Sequence, residues 1–162
     1  MNEQRRRLVF DLTVWITGPV LALSLLAVDV EAKSRHSGVD NATWRAECGG
    51  CHLPYPPGLL PAADWRRLMG SLDRHFGADA SVDPKAGAEI GAFLAANAGR
   101  DEARGADVEP RITTTRWFRH EHGKVSPAVF RSSPVGTMSN CTACHADAGK
   151  GDFDEHAVRI PR

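Results

Sequence analysis

The chain has 162 residues and carries twenty basic and twenty acidic side chains, so its formal net charge is zero. This length suits one domain or two very small ones and excludes a large multidomain enzyme. Because the charge is balanced and no polybasic tract is present, the sequence predicts neither nucleic acid nor an anionic surface as a partner. Four cysteines and seven histidines are the unusual part of the composition.

Residues 1–32 have the composition of a secretory signal peptide. Arginines at positions 5–7 precede an uncharged apolar run over 12–28, and small residues favour cleavage before Lys33. We therefore expect the protein to be exported. The apolar run is near the lower limit for crossing a bilayer and is interrupted at Gly18, so a retained membrane anchor is the alternative. Membrane contact is expected only through this segment, if it is uncleaved, or through a partner.

The first predicted helix covers residues 42–51, begins after the N-cap Asn41 and carries a C-x-x-C-H motif. This motif is the attachment signature of c-type haem. Two thiols three residues apart lie along one side of a helical turn, where each can form a thioether with one haem vinyl group. The histidine projects from the same face toward the iron. Cys48, Cys51 and His52 are therefore the predicted tethers and proximal ligand of a first haem.

A proline-rich loop over 53–58 must turn the chain away from this motif. Either a loop carbonyl accepts a hydrogen bond from the second ring nitrogen of His52, or the prolines only stiffen the connection. The next predicted helix, 62–76, has apolar residues at three-to-four-residue spacing and places His75 at the edge of its buried face. His75 is the predicted second ligand of the first haem. Met69 shares this face and is the alternative ligand, although methionine at helical spacing is more often a core residue. The alternative for His75 is a surface or core-edge histidine without a ligand role.

The third predicted helix covers 84–98, with Asp83 as its N-cap. A polar linker over 101–109 follows and is predicted to separate two haem lobes of the mature chain. The second lobe has few aliphatic side chains, so its haem must supply much of its core. The N-terminal and C-terminal haem lobes are predicted over 33–100 and 110–162.

A fourth helix is predicted over 115–122, where a threonine can cap the N terminus. Phe118 and His122 are four residues apart and share one face, whereas His120 points elsewhere. His122 is therefore the predicted second ligand of a second haem, and His120 is the alternative ligand or a solvated side chain beside Glu121. No ligand role is assigned to the histidines near the mature N terminus and in the polar tail, His36 and His156.

The last predicted helix, 140–146, carries the second C-x-x-C-H motif and can be capped by Ser139 or Asn140. In each half of the chain the two predicted axial ligands are 23 positions apart, so each lobe can complete its own site. The predicted tethers and proximal ligand of the second haem are Cys141, Cys144 and His145.

A dithiol redox site, a structural disulfide and a zinc site are alternatives for each C-x-x-C pair. None of them requires a histidine directly after the second cysteine, and both motifs have one. With two histidines on each iron no position remains for a substrate, so the protein is expected to transfer single electrons and not to be an enzyme. The alternative function is a dihaem peroxidase or a ligand-binding haem protein with one five-coordinate iron.

Together these residues resemble the bacterial dihaem cytochrome c family often called DHC. The matching stretches begin near Trp44 and continue to the C terminus. They are 47–52, 55–61, 75–77, 79–81, 112–114, 117–118, 121–122, 140–145, 151–153 and 160–161. His75 and His122 fall on the family's histidine positions, which supports their assignment as ligands.

The resemblance implies a small all-α protein with two covalently attached, low-spin bis-histidine haems. Its N-terminal lobe is expected to be similar to class I cytochrome c, and its C-terminal lobe to consist of short, irregular helices. The resemblance further implies a periplasmic electron carrier whose partners are a membrane cytochrome b and a small monohaem cytochrome c. Two imidazoles stabilise ferric iron more than a histidine and a methionine do, so low reduction potentials are expected.

Overall fold

The structure is a computed structural model and describes residues 39–100 and 109–161. The predicted signal segment, most of the predicted linker and His36 lie outside the described residues. Within them the regular elements are helices and no strand is present, so the all-α prediction is confirmed. The α-helices are α1 (Ala42–Gly49), α2 (Ala62–Met69), α3 (Pro84–Ala96), α4 (Arg116–Glu121) and α5 (Pro127–Phe130). The 3-10 turns are Pro57–Leu59, Leu72–Arg74, Ile112–Thr114, Cys141–Ala143, Ala148–Lys150 and Glu155–Ala157.

Helix α1 begins as its sequence predicts. The side chain of Asn41 accepts a hydrogen bond of 2.7 Å from the backbone N–H of Trp44, which is the expected N-cap. Its amide nitrogen also donates to Glu89 of α3 at 2.9 Å, so the cap connects two helices. The helix ends at Gly49, two residues earlier than predicted, and Cys51 and the ligand after it lie in the following turn.

Helix α2 is much shorter than the predicted 62–76. It ends at Met69 because Gly70 occupies the C-cap and the hydroxyl of Ser71 donates to the carbonyl of Arg67 at 2.9 Å, which satisfies an open helix-end acceptor. A 3-10 turn then leads to His75. The prediction that His75 lies on a continuous helical face is therefore wrong.

Helix α3 packs against both preceding helices and closes the N-terminal core. Asp83 caps it by accepting from the N–H of Lys85 at 2.9 Å, as predicted. Beyond its end, the N–H of Gly99 donates to the carbonyl of Leu60 at 2.9 Å. The buried core cluster of the described residues lies entirely within 39–100 and comprises Trp44, Leu60, Trp65, Ile90 and Leu94.

The C-terminal part, residues 109–161, is built from short elements with little apolar core, as expected from its few aliphatic side chains. Its buried hydrophobic residues are Phe118, Val135 and Ala148. Helix α4 starts at the predicted cap, whereas α5 was not predicted from the sequence. No helix among the described residues is long and apolar enough to cross a membrane.

The second C-x-x-C-H motif does not form the α-helix predicted over 140–146. It forms a 3-10 turn over Cys141–Ala143. The side chain of Asn140 donates to the carbonyl of Val135 at 3.0 Å and makes no cap hydrogen bond, so the predicted capping role of Asn140 is wrong. The hydroxyl of Ser139 contacts that of Thr137 and does not cap the turn either. This motif is therefore held by a loop rather than by a helix.

Candidate haem-binding sites

The structure brings the predicted ligands of the first haem together. His52 reaches the site from the turn after α1, and His75 reaches it from the end of the 3-10 turn after α2. The centroids of the two imidazole rings are 6.1 Å apart, and their planes make an angle of 25°.

The predicted ligands of the second haem form a similar pair. His122 is the C-cap residue of α4, and His145 follows the 3-10 turn of the second motif. Their ring centroids are 6.2 Å apart, with an angle of 71° between the planes. The two pairs thus have the same spacing and different relative orientations.

This spacing fits one metal ion between each pair. A bond of about 2.0 Å from metal to imidazole nitrogen, plus about 1.1 Å from that nitrogen to the ring centre, places two facing imidazoles about 6.2 Å apart. The rival residues lie outside both pairs. His120 is 85% exposed beside Glu121, His156 is exposed beside Asp154, and Met69 packs against the core cluster.

One ring in each pair has its second nitrogen hydrogen-bonded to a backbone carbonyl. Nδ1 of His52 lies 2.6 Å from the carbonyl oxygen of Leu53 in the proline-rich loop, so of the two roles considered for this loop the structure shows the hydrogen-bond acceptor. Nδ1 of His122 lies 2.9 Å from the carbonyl oxygen of Phe118. Because a carbonyl only accepts, Nδ1 is the donor in both rings, which leaves Nε2 as the nitrogen available to bind a metal.

The other ring in each pair has a buried nitrogen and a lowered pKa. Nδ1 of His75 and Nδ1 of His145 are buried without a hydrogen-bond partner among the described residues. Burial lowers the pKa of both rings, and the neighbouring imidazoles of His52 and His122 lower it further. The lowered pKa favours the neutral form, which is the form that binds metal, and each ring has one nitrogen without a hydrogen-bond partner in the described chain.

The cysteines have the chemistry of attachment sites rather than of a dithiol catalyst. All four are free of disulfide bonds. Burial is the main cause that raises the pKa of Cys48, Cys141 and Cys144, whereas a redox-active dithiol depends on a lowered thiol pKa. The donor set of each motif, two thiols and an imidazole facing a second imidazole, fits a covalently bound haem.

Aromatic side chains lie against both pairs, and Tyr55 connects the first pair to the backbone that leads into the second motif. The ring of Tyr55 stacks on His52 with centroids 4.8 Å apart, and its hydroxyl donates to the carbonyl of Ser139 at 2.8 Å. Ser139 lies two positions before Cys141, the first residue of the second motif. No role for Tyr55 was predicted from the sequence. Further rings within 6.3 Å of a predicted ligand include Phe76, Phe118, Phe130 and Phe153.

A helical fold with two C-x-x-C-H motifs, each facing a second histidine, defines a c-type cytochrome. The model of the dihaem cytochrome c family, DHC, matches residues 44–153. The chain therefore belongs to the dihaem cytochrome c family and binds two covalently attached c-type haems, as the sequence predicted.

Solved structures agree with this assignment. A dihaem cytochrome c from Shewanella baltica is 38% identical over 75% of this chain and 93% of its own, with a TM-score of 0.67. Two structures of the dihaem cytochrome c from Rhodobacter sphaeroides are 40% and 41% identical, with TM-scores of 0.61 and 0.60. Each covers 71% of this chain and 98% of its own. A search of the curated proteins finds no match.

Proposed function

We propose that the protein is a periplasmic carrier of single electrons in which two histidines coordinate each iron. His52 and His75 hold the first, and His122 and His145 hold the second. The observation that carries this proposal is the ring-centroid spacing of 6.1 Å and 6.2 Å, which suits a metal between each pair.

The proposal includes no enzymatic role, because two histidines would occupy both axial positions of each iron. The haem iron supplies reversible one-electron exchange between the ferric and ferrous states. The chain's own residues orient the rings, through the carbonyls of Leu53 and Phe118, and leave no position on the metal for a substrate. Two imidazoles favour the ferric state, so both haems are expected to have low potentials among cytochromes c.

The signal-like segment over 1–32 supports the periplasmic location. The family resemblance supports a membrane cytochrome b and a small monohaem cytochrome c as the redox partners. In vesicles containing such a cytochrome b, the ferric protein should be reduced when quinol is added. Failure of that reduction, with a chemically reducible protein, would remove this partner from the proposal.

Spectroscopy of the holoprotein from a haem-maturing host tests the ligation. Both haems should be low-spin in the ferric state, and the ferrous protein should not bind carbon monoxide. A spectroelectrochemical titration should give two midpoints below the standard hydrogen electrode. A high-spin ferric signal, or carbon monoxide binding at one haem, would instead indicate the peroxidase or ligand-binding alternative. A strongly positive midpoint would contradict the expected potentials.

A further inference from the structure

The two histidine pairs differ in the angle between their ring planes. The planes of His52 and His75 make an angle of 25°, and those of His122 and His145 make an angle of 71°. Given the bis-histidine ligation of the proposed function, on which this inference rests, the two irons have ligand planes that are near-parallel in one site and near-perpendicular in the other.

Phe118 contacts His122 in two ways that together define the plane of its ring. The carbonyl oxygen of Phe118 accepts from the imidazole Nδ1 at 2.9 Å, which fixes the direction in which the ring points. The phenyl ring of Phe118 lies against the imidazole with centroids 4.0 Å apart and planes 16° apart, which opposes rotation of the imidazole out of that plane.

Phe118 is itself held firmly. Its side chain is only 6% exposed. Its N–H donates to Oγ1 of Thr115 at 2.9 Å, and the hydroxyl of Thr115 donates to the carbonyl of Ile112 at 2.8 Å. The backbone N–H of His122 donates to the carbonyl of Phe118 at 3.0 Å, so this one carbonyl accepts from both the backbone and the ring of the ligand. The helix α4 therefore presents the phenyl ring and the carbonyl as one rigid support.

The first pair has a different arrangement of rings. Tyr55 lies against His52 with an interplanar angle of 23°, and His75 is inclined by 25° to the same imidazole. Phe76, which neighbours His75, is inclined to it by 59° and does not lie parallel to its face. No residue in the described part of this site supports a ligand from both its ring face and its Nδ1, as Phe118 does for His122.

We propose that Phe118 is a positioning residue that sets the ring plane of His122 and so gives the second haem near-perpendicular ligand planes. In low-spin ferric haem, each imidazole donates π density into the iron d orbital that lies perpendicular to its ring. Parallel rings act on the same orbital and separate the d pair in energy, which gives a spectrum with three resolved g values. Perpendicular rings act on both orbitals, which stay close in energy and give one large g value.

Electron paramagnetic resonance of the ferric holoprotein tests this inference. The wild-type protein should show two low-spin signals, one with three resolved g values and one with a single large g maximum. Two low-spin signals of the same resolved type would overturn the inference and leave bis-histidine ligation standing. A high-spin signal in the wild-type protein would overturn the proposed ligation, and the inference with it.

Variants of Phe118 test whether its ring is the cause of the large g maximum. Phe118→Leu keeps the backbone carbonyl and an apolar side chain but removes the ring, so the large g maximum should decrease while the other signal stays unchanged. Phe130→Leu is the matched control, because Phe130 is inclined by 54° at 6.3 Å from the same imidazole and does not stack on it. It should leave both signals unchanged. An unchanged large g maximum in Phe118→Leu, or an equal decrease in Phe130→Leu, would overturn the positioning role.

A conservative variant keeps the test decisive if Phe118→Leu fails to retain its second haem. Phe118→Tyr preserves an aromatic ring at this position and should preserve the large g maximum. If Phe118→Tyr loses that signal while both of its haems remain low-spin, the stacked ring does not set the plane of His122 and the inference is overturned.

Discussion

The hydroxyl of Tyr55 donates a hydrogen bond of 2.8 Å to the backbone carbonyl of Ser139, 84 positions further along the chain. The ring of the same residue stacks on His52. One side chain thus contacts the proximal ligand of the first motif and the backbone that leads into the second motif. The relative position of the two attachment segments depends in part on this one phenol.

Replacing Tyr55 by phenylalanine should lower the free energy of unfolding by about 0.5–1.5 kcal/mol, the usual net contribution of one hydrogen bond. The stacked ring remains, so both haems should stay low-spin. Chemical denaturation of the holoprotein measures the loss. Ser139→Ala is the matched control, because it keeps the backbone carbonyl and should have almost no effect. Equal losses in the two variants would show that the hydroxyl-to-carbonyl bond is not the cause.

The pKa of Tyr55 should lie above its usual value of about 10, since burial favours the neutral phenol. The folded state then holds this proton more tightly than the unfolded state. Its contribution to stability is fully present below the unfolded pKa and is lost as the pH rises through the folded pKa. Tyr55 is the chain's single tyrosine. The difference in ultraviolet absorbance between the wild type and Tyr55→Phe, followed against pH, therefore reports the ionisation of this phenol alone. A midpoint at or below the usual value would contradict the prediction.

Each distal histidine should serve one haem. His75→Ala should turn the first haem high-spin and able to bind carbon monoxide, and His122→Ala should do the same to the second, with one equivalent of carbon monoxide per protein in each case. The physical reason is that each ring is paired with a different proximal histidine at a spacing of 6.1 Å or 6.2 Å. Absorption spectra of the ferric and ferrous variants provide the measurement.

His120→Ala is the control for those variants. His120 is 85% exposed and contacts Glu121, so both haems should remain low-spin when it is removed. A high-spin haem in His120→Ala would transfer the ligand role from His122 to His120 and overturn the assignment.

The sequence predicted the start of most helices better than their ends. Caps are local features, so Asn41 and Asp83 could be identified from the residues alone, and the structure confirms both. The predicted helix over 62–76 failed because apolar spacing continues past Gly70, whereas the glycine and the hydroxyl of Ser71 end the helix. Periodicity did not reveal this, because the 3-10 turn keeps a similar spacing of side chains.

The sequence predicted that His75 is paired with His52, but it did not predict the backbone geometry that brings His75 to the site. His75 was placed on a helical face, and the structure instead delivers it from a turn. At the second motif, the side chain of Asn140 donates to the carbonyl of Val135 instead of capping a helix. Local helix propensity does not predict this contact, because it depends on how the chain folds around the motif. The link from Tyr55 to Ser139 spans both halves of the chain and carries no local signal at all.

Gly99 should tolerate no side chain. A Cβ at this position would collide with the backbone carbonyl oxygen of Gly58, because the chain after α3 lies directly against the loop before α2 and bonds to Leu60 there. Backbone cannot move aside as a flexible side chain can, so Gly99→Ala should lower the free energy of unfolding by about 1–3 kcal/mol. Chemical denaturation of the holoprotein measures it.

Gly91→Ala is the matched control within α3. The nearest atom to its Cβ would be Cγ of Met69 at 3.9 Å, which is ordinary contact, and alanine favours the helix by up to about 1 kcal/mol over glycine. This variant should be neutral or stabilised. A stable Gly99→Ala protein, or equal destabilisation of both variants, would contradict the steric argument.

The C-terminal part should depend on its haem for folding more than the N-terminal part does. The buried core cluster lies within 39–100, whereas 109–161 buries few hydrophobic side chains. A chain segment that buries too little apolar surface needs a cofactor or a cross-link to offset the conformational entropy lost on folding. Replacing both Cys141 and Cys144 by alanine, which removes the second haem's tethers, should therefore release the helices α4 and α5 while α3 stays folded.

Hydrogen exchange resolves the two parts of that double variant. The amide of His122, bonded to the carbonyl of Phe118 at the end of α4, should exchange at a rate near that of unfolded chain. Amides in α3 that lie over Ile90 and Leu94 should keep most of their protection, because that core does not include residues of the second motif. The equivalent double replacement of Cys48 and Cys51 is the comparison and should leave α3 partly protected through the same core. If α4 kept its full protection without the second haem, the short helices of 109–161 would be stable by themselves and the haem-dependence argument would be wrong.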